Sequence, residues 1–360
     1  MSIEFTDSSI QYCNVCMAST DASYQMYNVA VSGVVLAIVG AIGLIGNILV
    51  VTVYTSPEQR VHSTSIYLAA LATSDFLMIC TAMFLFVLET WRHHGPPILA
   101  YLYGSGAPYI FPLGAVFQTT SVYFCVAAGV DCFISVVLPK PFKDICCTAK
   151  KAKVVVMVMS VLCVLYNIPH CFELQAIQCI EPKHGGIMSL QICPTPFRMD
   201  PVYYTIYYTY MYTTFMAVGP LLMLIVLNIC VVFTVVTKGA SEDSDTISLI
   251  LVVCFFIVCN FTALLVNFLE LTLYDQLSHV IVYLVDLSNL LVVVNCTANF
   301  FLYLIFGNSF RQSLYKILAG RPPLKQANLL WPEDDSNYVT RRLSAASNEE
   351  AYLQTNTDEV

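Results

Sequence analysis

Charged residues are scarce in this sequence and make up only 11% of its 360 positions. A soluble domain usually carries about a quarter of its residues as Asp, Glu, Lys or Arg. Hydrophobic residues account for 58% of the chain, which is more than a water-soluble core could hide. The shortage of charge therefore excludes an ordinary soluble protein and predicts that lipid is the solvent for much of the chain.

Two further absences narrow the class of protein. Residues 1–24 lack the apolar stretch that forms the core of a secretory signal peptide, so we expect the first long apolar helix to act as the targeting signal. The sequence also lacks a nucleophile–base pair and a cluster of metal ligands. We therefore expect no enzymatic activity, no cofactor beyond a sodium ion, and no nucleic-acid partner.

Seven apolar stretches are long enough to cross a membrane, since about 20 apolar residues span the hydrocarbon as a helix. In order, they lie within Ala22–Pro57 and over Ser63–Leu88, about Ala107 to Leu138, Val154–Phe172, Val202–Thr237, Thr246–Leu269 and Gln276–Phe306. Lipid cannot satisfy the backbone of an open strand, so these stretches are helices. The predicted fold class is an all-α membrane protein, a bundle of seven transmembrane helices.

The basic residues orient this bundle. Thirteen of the 16 Lys and Arg residues fall on one side of the predicted spans, and only Arg92, Lys183 and Arg198 fall on the other. The side rich in basic residues is cytoplasmic. An odd number of spans then places the N-terminus outside the cell and the C-terminus inside.

The chain divides into three regions on this reading. Residues 1–26 form an extracellular N-terminus, residues 27–319 form the seven-helix domain, and residues 320–360 form a polar, disordered cytoplasmic tail. The domain ends in a helix over residues 308–319, with Phe310, Leu314, Ile317 and Leu318 on one face. That apolar face predicts a helix that lies on the lipid at the inner membrane surface.

Polar side chains inside the membrane cost free energy and require partners. Asp75 is the acid buried most deeply, and the residues able to partner it at mid-depth are Asn47, Ser121, Asn295 and Asn299. A sodium ion or a proton could neutralise Asp75, which is thus the one candidate metal ligand. A purely structural hydrogen-bond network between helices is the alternative, and the two are compatible.

A second polar set lies towards the outer ends of the spans and is our candidate ligand site. It comprises Glu89, Gln118, Glu173, Asn260, Asn267, Glu270 and Asp286. The acids could attract a cationic ligand, with tyrosines near them for cation–π contact. The alternatives are a solvated acidic rim, and amides that hold neighbouring helices together.

Several motifs now establish a resemblance. They are Gly46-Asn47 in span one, Leu71-Ala72-Thr73-Ser74-Asp75 in span two, Pro220 in span five and Asn299-Phe300-Phe301-Leu302-Tyr303 in span seven. Their order and spacing resemble those of the rhodopsin-type (class A) G-protein-coupled receptors. The segments Gln118–Tyr123, Tyr166–Glu173 and Val294–Phe300, with Cys259-Asn260, more narrowly resemble the invertebrate FMRFamide-type neuropeptide receptors. This resemblance implies a plasma-membrane receptor for short amidated peptides that signals through a G protein.

The chain departs from the family pattern at the inner end of span three. Relatives carry Asp/Glu-Arg-Tyr there, whereas this chain carries Asp131-Cys132-Phe133. In relatives the arginine meets tyrosines of spans five and seven on activation and touches the G protein. Here the span-five position holds Asn228, while Tyr303 remains. We therefore keep, as an alternative, a peptide-binding scavenger or arrestin-biased receptor that does not couple to G protein, with Asp131, Cys132 and Tyr303 as the activation residues.

A third alternative is a secondary transporter. That class predicts inverted repeats and paired spans broken by Gly or Pro. We find neither in the sequence.

Five cysteines fall in oxidising space by this topology and are the disulfide candidates: Cys13, Cys16, Cys171, Cys179 and Cys193. The family's usual cysteine at the outer end of span three is absent, its place being near Ala107. Its usual bond to the second outer loop therefore cannot form. Cys179 and Cys193 would pair with each other or with the other candidates.

The tail carries short regulatory patterns. Ser344 follows Arg341-Arg342-Leu343 as in a basophilic kinase site, and Ser347 precedes Glu349 and Glu350. Phosphorylation at these serines would suit arrestin recruitment. The C-terminal Asp358-Glu359-Val360 could add as a strand to a PDZ domain.

Overall fold

The fold is known from a computed structural model, in which we describe residue 13 and residues 21–181, 187–238 and 244–319. Cys16, Ser344, Ser347 and the predicted tail 320–360 lie outside the described residues, as do the side chains of Asn267 and Glu270. The chain forms two compact units, Met1–Arg311 and Gln312–Val360. The first unit holds all the sites discussed below.

Six helices among the described residues are long and apolar enough to cross a membrane. They are span one (Ala22–Tyr54), span two (Ser63–Arg92), span three (Pro97–Val137), span four (Ala149–Phe172), span five (Pro201–Thr237) and span seven (His279–Phe306). A shorter apolar helix, Ile250–Thr262, lies where span six is predicted. Spans one, two and five include π-helical segments at Val29–Val35, Met83–Leu88 and Tyr204–Val218, and span four ends in a 3₁₀ turn at Ile168–Phe172.

Spans six and seven, predicted over Thr246–Leu269 and Gln276–Phe306, belong to one helical element, Ser244–Phe306. In a straight helix Phe256 and Val293 would be about 55 Å apart, at about 1.5 Å per residue. Yet Phe256 borders a small cavity with Val122 of span three. Val293 belongs to a buried cluster against which Phe117 of span three packs.

Phe117 and Val122 are only about 7 Å apart along their own helix. Both ends of the long element therefore contact the same short stretch of span three. The element must reverse direction between Phe256 and Val293, and the chain crosses the bundle seven times. The predicted seven-helix bundle is confirmed in this form.

Span three begins at Pro97, ten residues before the predicted start near Ala107. Proline suits the first helical turn because its fixed φ matches the helix and its missing N–H has no partner to lose there. The added turns also have a packing partner, since a Cβ on Gly104 would overlap Leu190 of the second outer loop. Hydropathy alone could not anticipate that contact.

The second outer loop is a β-hairpin that the sequence analysis missed. Strand β1 (Leu174–Glu181) pairs antiparallel with strand β2 (Ile187–Pro194), in a register running from Leu174 opposite Pro194 to Glu181 opposite Ile187. Apolar and polar residues partly alternate along both strands, which was the available signal. β2 packs against span three, so the hairpin covers the outer face of the bundle.

The inner face carries two short helices. Lys140–Cys146, which we call the loop helix, follows span three and was not predicted. The helix Asn308–Ala319 has the predicted bounds. Between the faces, spans one, two and seven share a buried core that includes Leu36, Ile79 and Val293. Span one approaches span seven closely there, because Gly43 has no Cβ; a Cβ at this position would overlap Thr297.

Candidate functional site

The centre of the bundle holds the predicted acid with two of its predicted partners. Asp75 is fully buried. Ser121 of span three donates to Asp75 Oδ1 at 2.6 Å, and Asn299 of span seven donates to Oδ2 at 2.8 Å. One carboxylate thus ties three spans together.

The other two members of the predicted network are not bonded to the Asp75 carboxylate by any described contact. Asn47 donates its Nδ2 to the carbonyls of Gly43 and Cys296, both at 3.0 Å. The Oδ1 atoms of Asn47 and Asn295 are buried and accept no hydrogen bond from the described residues. Orphaned amide oxygens of this kind can bind a cation or a water molecule.

The outer ends of spans one, two and seven meet at Asp286. This acid is 7% exposed and accepts a hydrogen bond from Asn28 Nδ2 at 2.9 Å. Asn28 Oδ1 in turn accepts from Thr90 at 2.9 Å, so this one amide links spans one, two and seven. All of these partners are neutral, so the negative charge of Asp286 faces the outer side without a cationic partner among the described residues.

Glu89, at the outer end of span two, is paired within its own helix. Arg92 donates to both carboxylate oxygens, at 2.5 and 2.8 Å, and His93 Nε2 lies 3.5 Å from Oε1. The Arg92 guanidinium lies 4.9 Å above the Tyr103 ring. The Glu89 side chain remains 34% exposed, so a ligand could still reach it.

Glu173 occupies a different environment, between span four and the hairpin. Its side chain is fully buried, and Tyr203 and Tyr208 of span five donate to it at 2.5 and 2.6 Å. Arg198 Nη1 donates at 2.8 Å, and His170 Nδ1 lies 2.9 Å away. Three donors and the nearby His170 ring thus surround one carboxylate, which we call the Glu173 cluster.

The protonation of Glu173 follows from these partners. Burial alone would raise the pKa of this carboxyl, but His170 and the two tyrosines outweigh it and hold the pKa below its ordinary value. Glu173 is therefore charged at neutral pH, and both of its carboxylate oxygens accept hydrogen bonds. As placed, it organises spans four and five, and the ligand contact proposed for it stays a prediction.

Two predicted amides line one small cavity. Gln118 of span three and Asn260 of the long helix face it together with Tyr212 and Met216 of span five. Asn260 also donates to the carbonyl of Phe256 at 2.9 Å. Asn267 and Glu270 lie further along the same helix, with side chains outside the described residues.

The inner end of span three carries the predicted activation residues. Asp131 is 5% exposed, and Ser63 and Thr64 at the start of span two donate to its Oδ2 at 2.9 and 2.6 Å. Cys132 is buried beside it, and both residues line a cavity that Tyr303 of span seven also lines. The three residues thus share one site.

A disulfide joins the N-terminal segment to the hairpin. Cys13 is bonded to Cys179 of β1, and the Cys13 amide donates to the carbonyl of Ile180 at 3.1 Å. Cys193 of β2 is disulfide-bonded as well. The disulfide prediction for Cys171 is wrong, because this cysteine is free and exposed in the last turn of span four.

Loss of the Cys13–Cys179 bond is expected to destabilise the receptor. The bond closes a loop between residues 166 positions apart, and such a cross-link stabilises by about 2–4 kcal/mol. Cys13→Ser, Cys179→Ser and the double variant should therefore lower the Tm of the purified protein by the same amount. Cys171→Ser is the matched control and should leave Tm unchanged. A double variant clearly worse than either single one would contradict this pairing.

Two partners of the predicted residues and one further buried amide were missed. Asn28 bridges Asp286 and Thr90, Arg198 completes the Glu173 cluster, and Asn167 donates to Thr119 of span three at 2.9 Å. Asn28 and Asn167 are amides in apolar surroundings, which is the same signal that identified Gln118. Arg198 was visible as one of three basic residues on the outer side.

Comparison with known proteins gives three similar relatives. A probable G-protein coupled receptor, frpr-1, of Caenorhabditis elegans is 40% identical over 308 residues, which is 81% of this chain and 79% of the relative. The FMRFamide receptor of Drosophila melanogaster is 29% identical over 306 residues, covering 81% of this chain and 54% of the relative. The FMRFamide peptide receptor frpr-18 of C. elegans is 28% identical over 304 residues, which is 79% of this chain and 68% of the relative.

A family model described as the 7 transmembrane receptor (rhodopsin family) matches residues 46–303. This match covers more than half of the chain and includes the Asp75 network, the outer acids of spans two and seven, and the Asp131–Cys132 site. It agrees with the seven crossings of the bundle. The chain is therefore a multi-pass membrane protein that belongs to the rhodopsin family of seven-transmembrane receptors.

Proposed function

We propose that this chain is a plasma-membrane G-protein-coupled receptor, with its N-terminus outside, for a short amidated peptide of the FMRFamide class. The observation that carries the proposal is that two relatives named as FMRFamide receptors align with about four-fifths of the chain. Such a peptide carries an arginine and an aromatic side chain. Its ligand site would lie among the outer ends of the spans.

The outer acids support this ligand chemistry. Asp286 is held by neutral partners and lacks a counter-charge among the described residues, which suits a peptide guanidinium. The Arg92–Tyr103 stack beside Glu89 is the same kind of contact that a ligand arginine would make with an exposed ring. Gln118 and Asn260 offer amide partners deeper in the bundle.

A binding assay tests the proposal without depending on signalling. Cells expressing the receptor at their surface are incubated with labelled Phe-Met-Arg-Phe-amide, its free-acid form and a citrulline analogue that lacks the charge. We expect the amidated arginine peptide to bind at least about tenfold tighter than either analogue, as for loss of one hydrogen bond to a charged group. Absence of binding by any amidated Arg-Phe peptide, with surface expression verified, would reject the proposal.

A pair of variants tests whether the peptide arginine contacts Asp286. Asp286→Asn should weaken binding of the arginine peptide and leave binding of the citrulline analogue unchanged. Asp200→Asn is the matched control, because Asp200 is also an outer acid and caps the start of span five, a role that asparagine keeps. Equal losses in both variants would point to a general field of the acidic rim and not to a contact at Asp286.

The same proposal includes a sodium ion at Asp75. Carboxylate, hydroxyl and amide oxygens are the ligands that hard cations prefer. Asp75 and Ser121 supply two such groups in contact, and Asn295 has an oxygen that no described donor satisfies. The residues present therefore fit the ion.

Sodium is expected to stabilise the receptor against heat. Replacing choline by sodium at constant ionic strength should raise Tm. At a sodium concentration tenfold above Kd, the added free energy of stabilisation is about 1.4 kcal/mol. Asp75→Asn should abolish the response, whereas Asp131→Asn, which removes another buried acid, should retain it. A sodium response that survives Asp75→Asn would contradict the assignment.

A second candidate function keeps peptide binding without G-protein coupling. It is favoured by Cys132, a neutral thiol at the position where the family resemblance implies an arginine. Uptake of peptide, or recruitment of arrestin after phosphorylation of Ser344 and Ser347, would then be the output. A PDZ partner at the C-terminus belongs to the same proposal. Membership of the rhodopsin family leaves the transporter alternative without support.

A further inference from the structure

A cavity bordered by the described residues lies at the inner end of the bundle. Its volume is about 430 Å³, and it lies between spans one, two, three and seven and the loop helix. Small-molecule sites usually occupy about 300–1,000 Å³. By the charge-based topology this end faces the cytoplasm, so the cavity is open to cytoplasmic ligands. It is separate from the outer ligand site and from Asp75.

Asp131, the acid in this cavity, accepts hydrogen bonds from the described residues at only one of its two carboxylate oxygens. Both hydroxyl donors of Asp131, Ser63 and Thr64, bind the same oxygen, Oδ2. Lys143 of the loop helix lines the cavity. Even so, no cationic side chain of the described residues lies within 4.0 Å of the Asp131 carboxylate. The cavity therefore contains an acid with one oxygen that accepts no hydrogen bond from the described residues, and the lining cation Lys143 does not pair with it.

A second group in the same cavity also lacks a partner. Tyr303 is 2% exposed, lines the cavity, and has a hydroxyl that forms no hydrogen bond with the described residues. A buried hydroxyl without a partner costs free energy. A ligand that donates to both Asp131 and Tyr303 would remove this cost.

We propose that this cavity binds a guanidinium group carried on a short alkyl chain and entering from the cytoplasm. Guanidinium is planar, carries five donors and accepts nothing, so it can serve a carboxylate and several hydroxyl oxygens together. An ammonium is a compact point charge that is more strongly hydrated and matches a carboxylate less well. The neutral Cys132 leaves room beside Asp131 for such a group.

The guanidinium could come from two sources that share this chemistry. One is a free alkylguanidinium, and the other is an arginine side chain presented by a cytoplasmic protein. Propylguanidinium represents the first, and N-acetyl-arginine methylamide, whose two amides mimic a peptide backbone, represents the second. Propylurea, which has the same shape without charge, is the control ligand.

Binding of these probes is measured on the purified full-length receptor, by Tm shift and by saturation-transfer NMR. Propylguanidinium should bind at least about tenfold tighter than propylurea, in keeping with a charge-assisted hydrogen bond. Asp131→Asn should remove this selectivity. Lys143→Gln, which removes a cation from the exposed loop helix, should increase it. Opposite signs in these two variants separate electrostatic recognition from damage to the fold.

Cys132→Arg supplies the decisive variant, because it places a guanidinium in the cavity permanently. Propylguanidinium binding should then be lost while the variant keeps its Tm. Binding of both cationic probes supports a site open to a protein arginine, and binding of propylguanidinium alone supports a free cation. Equal binding of propylurea, or selectivity that survives Cys132→Arg, overturns the proposal.

Discussion

Glu173→Ala is expected to be the most damaging single substitution on the outer half of the bundle, with a loss of about 3 kcal/mol. Breaking a buried ion pair from one side costs about 3–5 kcal/mol, because the remaining charge stays without a partner. Arg198 is 35% exposed, so water will satisfy part of its charge and the loss falls at the lower end. Tyr203 and Tyr208 lose their acceptor in the same change, and His170 loses the carboxylate beside its ring.

The loss is measured as a fall in Tm of the purified protein and in its amount at the cell surface. Glu89→Ala is the matched control, since Glu89 is also an outer acid paired with an arginine but is 34% exposed. Because the partly exposed Glu89 carboxylate is screened by water, its pair three residues away in the helix should contribute less than the Glu173 cluster. Similar losses in the two variants would show that the Glu173 cluster adds nothing beyond an ordinary surface pair.

The effect of Glu173 should depend on pH in a definite direction. Because the folded protein holds the pKa of Glu173 below its ordinary value, the charged form favours folding. Its stabilisation is complete above the unfolded pKa of about 4.3 and is lost as the pH falls through the folded pKa. The Tm difference between the native protein and Glu173→Ala should therefore narrow only below about pH 4. A difference that is constant with pH would contradict the linkage.

The parts of the fold that depend on hydropathy could be predicted from the sequence. Span two begins at Ser63 and the amphipathic helix covers Asn308–Ala319, as predicted, because polarity changes sharply at both places. Tertiary contacts determined what was missed. The hairpin of the second outer loop and the early start of span three at Pro97 stabilise each other through Gly104 and Leu190. The chain reverses direction within Ser244–Phe306 without leaving the helical conformation, so no turn segment marks the reversal in the sequence.

The sites follow the same division. Intramembrane polarity correctly brought Asp75, Ser121 and Asn299 together, since a buried acid has few available partners. Disulfide pairing cannot be deduced from cysteine positions, so Cys13–Cys179 was one of several alternatives. Glu173 was selected for its charge and position. His170 lies only three residues before it, but Arg198, Tyr203 and Tyr208 come from 25 to 35 residues further along the chain, and no local pattern indicates those three.

Cys132→Arg is expected to raise peptide-evoked G-protein activation several-fold. The new guanidinium would lie beside the free oxygen of Asp131 and in the same cavity as the unpartnered hydroxyl of Tyr303. Each hydrogen bond to a charged group contributes about 1.5–3 kcal/mol, enough to change a two-state equilibrium about tenfold or more. Asn228 replaces the family's tyrosine in span five and donates to the carbonyl of Leu224, so one of the usual partners remains absent.

Two further variants separate the charge from the mere loss of the thiol. Cys132→Ser removes the sulfur without adding a cation and should signal like the native receptor. Cys132→Lys adds a charge without a planar, multi-donor group and should give a smaller gain than arginine, because lysine cannot serve Asp131 and Tyr303 together as well. Native signalling equal to that of Cys132→Arg would mean that coupling does not depend on an arginine at this position. The receptor would then use its inner cavity in another way, and the non-coupling alternative would be excluded with it.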